Sequence, residues 1–119
     1  MNNIYLGVAA ATIVLNAGAA VGDIMKAGPV IKTAGEVGVS PSWVPLLGAL
    51  KGAGAIGLLL SILGVPLIGT AAAAGLVAFF VGAISFHVRA RVFYNIAFPG
   101  FFLALAAASL VLSVHARQY

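Results

Sequence analysis

Four side chains in this sequence could do chemistry together: Asp23, Lys51, His87 and Asn95. A carboxylate and an imidazole can accept a proton, an ammonium can donate one, and a carboxamide can hold a polar group in place. These are the candidate catalytic residues. Asn16, Lys26, Arg89 and Tyr94 fall near them along the expected helices and are the candidate substrate-binding groups. None of these residue types is unusual. They are informative because the sequence around them is so apolar.

Of 119 residues, 63% are hydrophobic and 7% are charged, where an ordinary soluble domain carries about 25% charged residues. Six Lys or Arg and two Asp or Glu cannot coat a soluble surface of this size. The composition indicates an integral membrane protein and excludes a soluble globular enzyme. The net charge of +4 forms no basic stripe with interleaved aromatics, so nucleic acid is not an expected partner. The chain has no cysteine, which removes disulfides, thiol nucleophiles and Cys-ligated metals. Two histidines without cysteine are too few ligands for a zinc site, and no metal is expected. His87 can serve as an interfacial polar group, as a helix-dipole partner or as a haem ligand. His115 cannot be a second axial ligand to it, because it ends the last span on the other side. There is no dinucleotide fingerprint, P-loop or serine nucleophile with a His and an acid nearby. The cofactor therefore stays unknown.

The elements that must position these residues are membrane helices, each needing about 20 apolar residues. The first run is Ile4 to Gly22, ended by Asp23. A signal peptide is the competing reading, with Ala17-Gly18-Ala19 resembling a cleavage site, but Met1-Asn2-Asn3 lacks the positive charge of a signal n-region. Gly52 to Phe86 holds no charge at all. As one helix that stretch would be about 52 Å long, against a hydrocarbon layer of about 30 Å, so the chain must turn. Leu63-Gly64-Val65-Pro66 is the natural turn, with Pro66 opening the next helix. The expected fold is an all-α bundle of four transmembrane helices in a single domain, residues 1–119, with spans at about 4–24, 44–63, 66–88 and 92–114. The segment Ala27 to Trp43 is too polar and broken to span. It reads as a partly helical interfacial loop, with a short helix over Val30 to Val37. It is either a plain connection on the headgroups or a lid over a pocket. Pro99-Gly100 lies inside the expected fourth span, where proline would leave the Asn95 carbonyl without its helical donor and kink the helix.

Four spans bring both termini to one side. Lys26, Lys32, Arg89 and Arg91 lie in the first and third loops. The positive-inside rule then places those charged loops in the cytoplasm and both termini outside, in a multi-pass cell-membrane protein. Most polar side chains gather in the same leaflet as the charged loops. Thr12, Asn16 and Asp23 fall within about 40° of one another on the first span and so form a stripe facing the bundle. The opposite leaflet is nearly bare, with Ser61, Thr70, Ser109 and Ser113, which can bond back to their own helices. Lys51 lies about 10 Å inside the second span, where it either snorkels to the interface or makes an inward ion pair. Gly48 and Gly52 form a small-x-x-x-small face, and Gly18 and Gly22 form another on the first span. If the two faces meet, Lys51 and Asp23 can pair. The aromatic faces of the last two spans, with Phe79, Phe80, Phe101 and Phe102, suit lipid as well as another subunit, so homo-oligomerisation is possible but not required.

The stretch Ser40-Pro41-x-x-Val44-x-x-x-Gly48-Ala49-Leu50-Lys51-x-x-Gly54-Ala55-x-Gly57-Leu58-Leu59-Leu60 resembles the second helix of the DoxX-like family of small membrane proteins. Ala17-Gly18 through Met25-Lys26 is similar to that family's Ala-Gly-x-x-Lys segment, and His87-x-Arg89 to its basic pattern after the third helix. The resemblance implies a four-helix membrane protein, a subunit or anchor associated with a redox partner protein or a quinone-linked system. One position departs: the family usually has Glu where this chain has Lys51, so a proton-handling role of that Glu does not carry over directly. The residues themselves support a second class, an intramembrane enzyme doing acid–base chemistry such as isomerisation or epoxide opening on a lipophilic molecule.

Overall fold

The computed structural model describes residues 3–65 and 67–116. Four long helices alternate in direction, and a short helix lies between the first two. They are α1 (Asn3–Ile24), α2 (Gly28–Glu36), α3 (Val44–Ile62), α4 (Ile68–Arg89) and α5 (Ala97–Ala116), with a 3-10 turn at Pro41–Trp43 leading into α3. The four long segments are each long and apolar enough to cross a membrane, with mean hydropathy between 1.6 and 2.1. The longest dimension is 44 Å, which matches a bilayer of about 40–45 Å including its headgroups. This is the expected four-span bundle with a partly helical connection after the first span. Pro66, expected to open the third span, lies outside the described residues, as does Arg117.

α1 packs along α3 and α5, and α4 packs along the same two helices, so the four form a closed ring. A small core sits in the ring: Leu58 of α3, Ala73, Leu76 and Phe80 of α4, and Ala106 of α5. Phe80 meets Phe79 edge-on at 5.0 Å and lies tilted against Phe102 at 5.2 Å. The outer surface is also apolar, as Val14, Ile56 and Phe101 show by being more than half exposed. Lipid covers such positions in a membrane, so a thin core suffices.

Glycine sets the close approaches, though not in the expected pairing. A Cβ on Gly48 would fall 2.7 Å from the Asp23 Cβ and 2.9 Å from the Ala20 carbonyl, so α3 lies against the backbone of α1. Gly54 and Gly57 do the same toward Leu76 and Ala72 of α4, each at 2.6 Å. Gly18 would meet nothing within 4 Å, and Gly22 only Val30 at 3.8 Å. The Gly48 face therefore packs on Ala20 and Asp23, while Gly18 faces open space and Gly22 faces Val30 of α2.

The helix ends explain two of the cations. Ala27 N–H bonds the Gly22 carbonyl at 2.9 Å around Lys26, whose φ is +53°. Val92 N–H bonds the His87 carbonyl at 2.9 Å around Arg91, whose φ is +58°. Gly38 and Gly64 make the same left-handed closure at the ends of α2 and α3. A non-glycine residue accepts this conformation at a cost of about 1–2 kcal/mol. At Lys26 and Arg91 a positive side chain next to a helix C-terminus offsets part of it.

The fourth span begins later than expected. Val92 and Phe93 are irregular, residues 94–96 form a turn, and α5 starts at Ala97, so Pro99 occupies its first turn. A proline N–H is dispensable there because the first-turn amides have no intrahelical acceptor. The Asn95 carbonyl is not left free: it accepts from Phe98 N–H at 3.2 Å. Pro99 thus starts the helix and makes no interior kink.

A roofed cavity at the polar end of the bundle

The residues at one end of the ring line a partly open cavity of about 1050 Å³. Its walls are mainly apolar, with Leu47 of α3, Phe79, Phe80 and Phe86 of α4, and Phe98 and Phe102 of α5. Its roof is α2. Val30, Thr33, Ala34 and Val37 recur at i, i+3, i+4 and i+7, and all four line the cavity. Lys32 and Glu36 project from the opposite, exposed face. Pro29 starts the helix, and Gly38 ends it with φ +84°. Of the two expected readings of this segment, the lid fits the geometry.

Two hydrogen bonds tie the roof to the turn before α5. The Tyr94 hydroxyl donates to Glu36 Oε1, and Asn95 Nδ2 donates to Thr33 Oγ1 at 3.4 Å. Neither bond was foreseen, since Tyr94 and Asn95 read as parts of a helix. The hydrogen bond to Glu36 raises the Tyr94 pKa above its ordinary value, with desolvation and the carboxylate charge adding to the rise.

The four candidate catalytic residues, Asp23, Lys51, His87 and Asn95, all belong to the lining of the cavity. Lys51 Nζ lies 2.8 Å from Asp23 Oδ2, with the two side chains 17% and 5% exposed. The ammonium also stands 5.5 Å from the centre of the Phe79 ring, close enough for a cation–π contact. The geometry is that of the inward ion pair, and the snorkelling alternative does not apply. The carboxylate leaves two ammonium hydrogens unused, because a lysine carries three donors. His87 is buried, and its Nδ1 lies 2.9 Å from the Ala83 carbonyl oxygen. A carbonyl only accepts, so Nδ1 carries the hydrogen. In the neutral ring Nε2 is then a bare acceptor.

Three buried side-chain atoms among the described residues have no hydrogen-bond partner within the protein: Asn16 Oδ1, His87 Nε2 and Asn95 Oδ1. Buried polar atoms are nearly always paired. Two of these three belong to cavity-lining residues.

The candidate substrate-binding residues do not line the cavity. Asn16 is fully buried and donates back to the Thr12 carbonyl at 2.9 Å. Lys26 and Arg89 are exposed at helix ends. Tyr94 is 69% exposed and engaged with Glu36. Thr33 and Trp43 line the cavity and were not foreseen. The period of α2 could have signalled Thr33. Nothing in the sequence separated Trp43 from an interfacial anchor.

At the far end the hydroxyls act between helices. Tyr5 bonds Ser61 at 3.0 Å, Thr12 bonds Ser109 at 3.2 Å, and Thr70 bonds Ser113 at 2.9 Å. Thr12 and Ser113 also bond back to their own helices. Phe79, Phe80 and Phe102, expected on outer faces, turn inward to the core or the cavity, and only Phe101 faces out.

A ring of four membrane-length helices with a roofed, mostly apolar cavity defines a small multi-pass membrane protein. Within that class the chain belongs to the DoxX-like family, whose sequence model matches residues 7–109. No curated protein and no solved structure matches the chain.

Proposed function

We propose that the protein binds a lipophilic small molecule in the cavity beneath α2, as a membrane component of a redox or quinone-linked system. The observation that carries this reading is an apolar cavity of about 1050 Å³ whose wall includes the Asp23–Lys51 pair, His87 and Asn95. Ligand sites are typically apolar cavities of about 300–1,000 Å³ with a few convergent polar groups. Phenylalanine rings from α4 and α5 suit a flat or chain-like apolar body. The Lys51 ammonium, with two hydrogens that Asp23 does not take, suits its polar head. The family resemblance supplies the redox association, which is an argument from analogy. The charged turns at the roofed end support a cytoplasmic location for that end, by the positive-inside rule.

A second reading is acid–base chemistry on the bound molecule. The bare Nε2 of His87 favours it, because a neutral imidazole with an oriented Nδ1–H is a competent proton acceptor. Lys51, held by Asp23, would then stabilise negative charge developing on the ligand.

Native mass spectrometry of gently extracted protein tests the proposal. A copurifying apolar molecule, lost when Phe80→Trp fills the cavity, is the expected result. Protein that carries only bulk bilayer lipid, in the same amount with and without that substitution, speaks against it. The same spectra report a redox partner or a second copy.

A further inference from the structure

Resting on the binding reading above, we infer that the site takes a single-chain amphiphile from the bilayer, with its polar head drawn in to Lys51 and its chain leaving the bundle sideways into lipid. Two residues that line the cavity lie on the outer side of their helices. Gly18 stands two residues from Asn16 and two from Ala20, which are 0% and 5% exposed. Ala78 stands in the same way between Leu76 and Phe80, which are 2% and 3% exposed. A step of two residues turns an α-helix by about 200°. Gly18 and Ala78 therefore lie on the side away from the bundle axis, and both are exposed. Buried Asp23 and Phe80, on the inner side of the same two helices, line the cavity as well. A cavity that touches both sides of one helix emerges at that helix's flank. It emerges beside Gly18, Gly22 and Phe98, where α1 faces α5, and beside Ala78, Gly82 and Trp43, where α4 faces α3.

Both mouths open on lipid. Gly18 lies about 9 Å inside the end of α1 at Ile24, and Ala78 about 16 Å inside the end of α4 at Arg89, at 1.5 Å per residue. Acyl chains fill the bilayer at that depth. Glycine, alanine and aromatic rings line the mouths, which suits a chain and does not seal in a compact molecule. At the inner end, Lys51 Nζ stands 2.8 Å from Asp23 Oδ2 and 5.5 Å from the centre of the Phe79 ring, and both neighbours line the cavity. Its two remaining hydrogens suit an oxygen-bearing head.

The test uses two photoactivatable hexadecanols, one with its diazirine beside the hydroxyl end and one with it near the methyl end. The full chain is reconstituted in phosphatidylcholine nanodiscs, and label is assigned to residues by mass spectrometry. The head-end probe is expected to mark the inner wall at Leu47, Phe80 and Phe102, and the tail-end probe to leave that wall unmarked. Gly18→Leu and Gly82→Leu each place a side chain in one mouth, at positions where an added Cβ meets nothing within 4 Å. Together they should lower inner-wall labelling about fivefold to a hundredfold, as steric overpacking of the chain implies. Val14→Leu, on the exposed face of α1, should leave it unchanged. Inner-wall marking by the tail-end probe, alone or together with the head-end probe, overturns the sideways seat and leaves cavity binding standing. Labelling that the double variant does not reduce has the same meaning. If neither probe marks the inner wall, cavity binding itself fails and the inference with it. The comparison of the two probes in the unaltered chain decides the matter even if the double variant does not fold.

Discussion

Removing the Lys51 ammonium strands the Asp23 carboxylate, whose side chain is 5% exposed. Breaking a buried pair from one side typically costs about 3–5 kcal/mol. Lys51→Met is therefore expected to lower thermal stability in detergent strongly, and adding Asp23→Asn should recover part of the loss. Additive effects without recovery would show that the pair is not coupled. The glycines of the same two helices give a second contrast. Gly48→Ala forces a Cβ to 2.7 Å from Asp23 and 2.9 Å from a backbone carbonyl. Overpacking of this kind costs about 1–3 kcal/mol. Gly18→Ala meets nothing within 4 Å and should be neutral or slightly stabilising, since alanine is the better helix former. Melting temperatures of the two variants should fall on opposite sides of, or unequally below, the parent. Equal losses would contradict the packing of α3 on α1. The ion pair was legible in the sequence because a lone charge in an apolar helix needs a partner. Gly18 was misread because glycine spacing shows where a helix could approach and not which helix does.

Among the elements, α2 has the most to do with access to the cavity. It is short, its inner face is apolar, and its two side-chain ties to the α4–α5 turn are Glu36–Tyr94 and Thr33–Asn95. Tyr94 donates in the first of these, and its pKa is raised by that bond. A raised tyrosine pKa means that the neutral, bonded form is favoured in the folded protein. The bond is thus fully present below the ordinary tyrosine pKa of about 10 and is lost as pH rises through the higher folded value. Tyr94→Phe should remove the bond at every pH. Backbone amides of α2 should then exchange faster in the variant near neutral pH. An alkaline change in Trp43 emission, present in the parent, should be absent in the variant. Unchanged exchange would mean that the roof is held by its apolar face alone. The existence of α2 could be read from Pro29, Gly38 and the residues between them. Its closure over the bundle could not, because the tying groups come from a turn that the sequence presented as helix. Pro99 misled there: its position within an apolar run looked interior, whereas the helix begins only two residues before it.

For the whole molecule, the open question is which way the roofed end faces. The chain has no native cysteine, so single cysteines report cleanly. Thr33 is a poor probe because it lines the cavity. Exposed Lys32 on the outer face of α2 and Val65 in the α3–α4 turn are better. With the charged turns in the cytoplasm, Lys32→Cys should resist an impermeant maleimide in intact cells, while Val65→Cys should react. The reverse labelling would invert the orientation without altering the bundle.

Composition established membrane residence, since 7% charge cannot hydrate a soluble surface, and the placing of the charges gave the number of spans, since an uncharged run longer than the bilayer must turn. The polar residues at one end were also visible, because burying a charge in lipid is costly wherever the helices happen to pack. Packing decided the rest. Lipid is as good a solvent for phenylalanine as a protein core, so hydropathy could not tell Phe80 in the core from Phe101 facing out. Nor could it show that His87 and Asn95 each spend a hydrogen on a local partner and keep a bare acceptor. Those outcomes depend on helix rotation and on which neighbour stands within hydrogen-bond reach, and only the assembled ring of helices sets both.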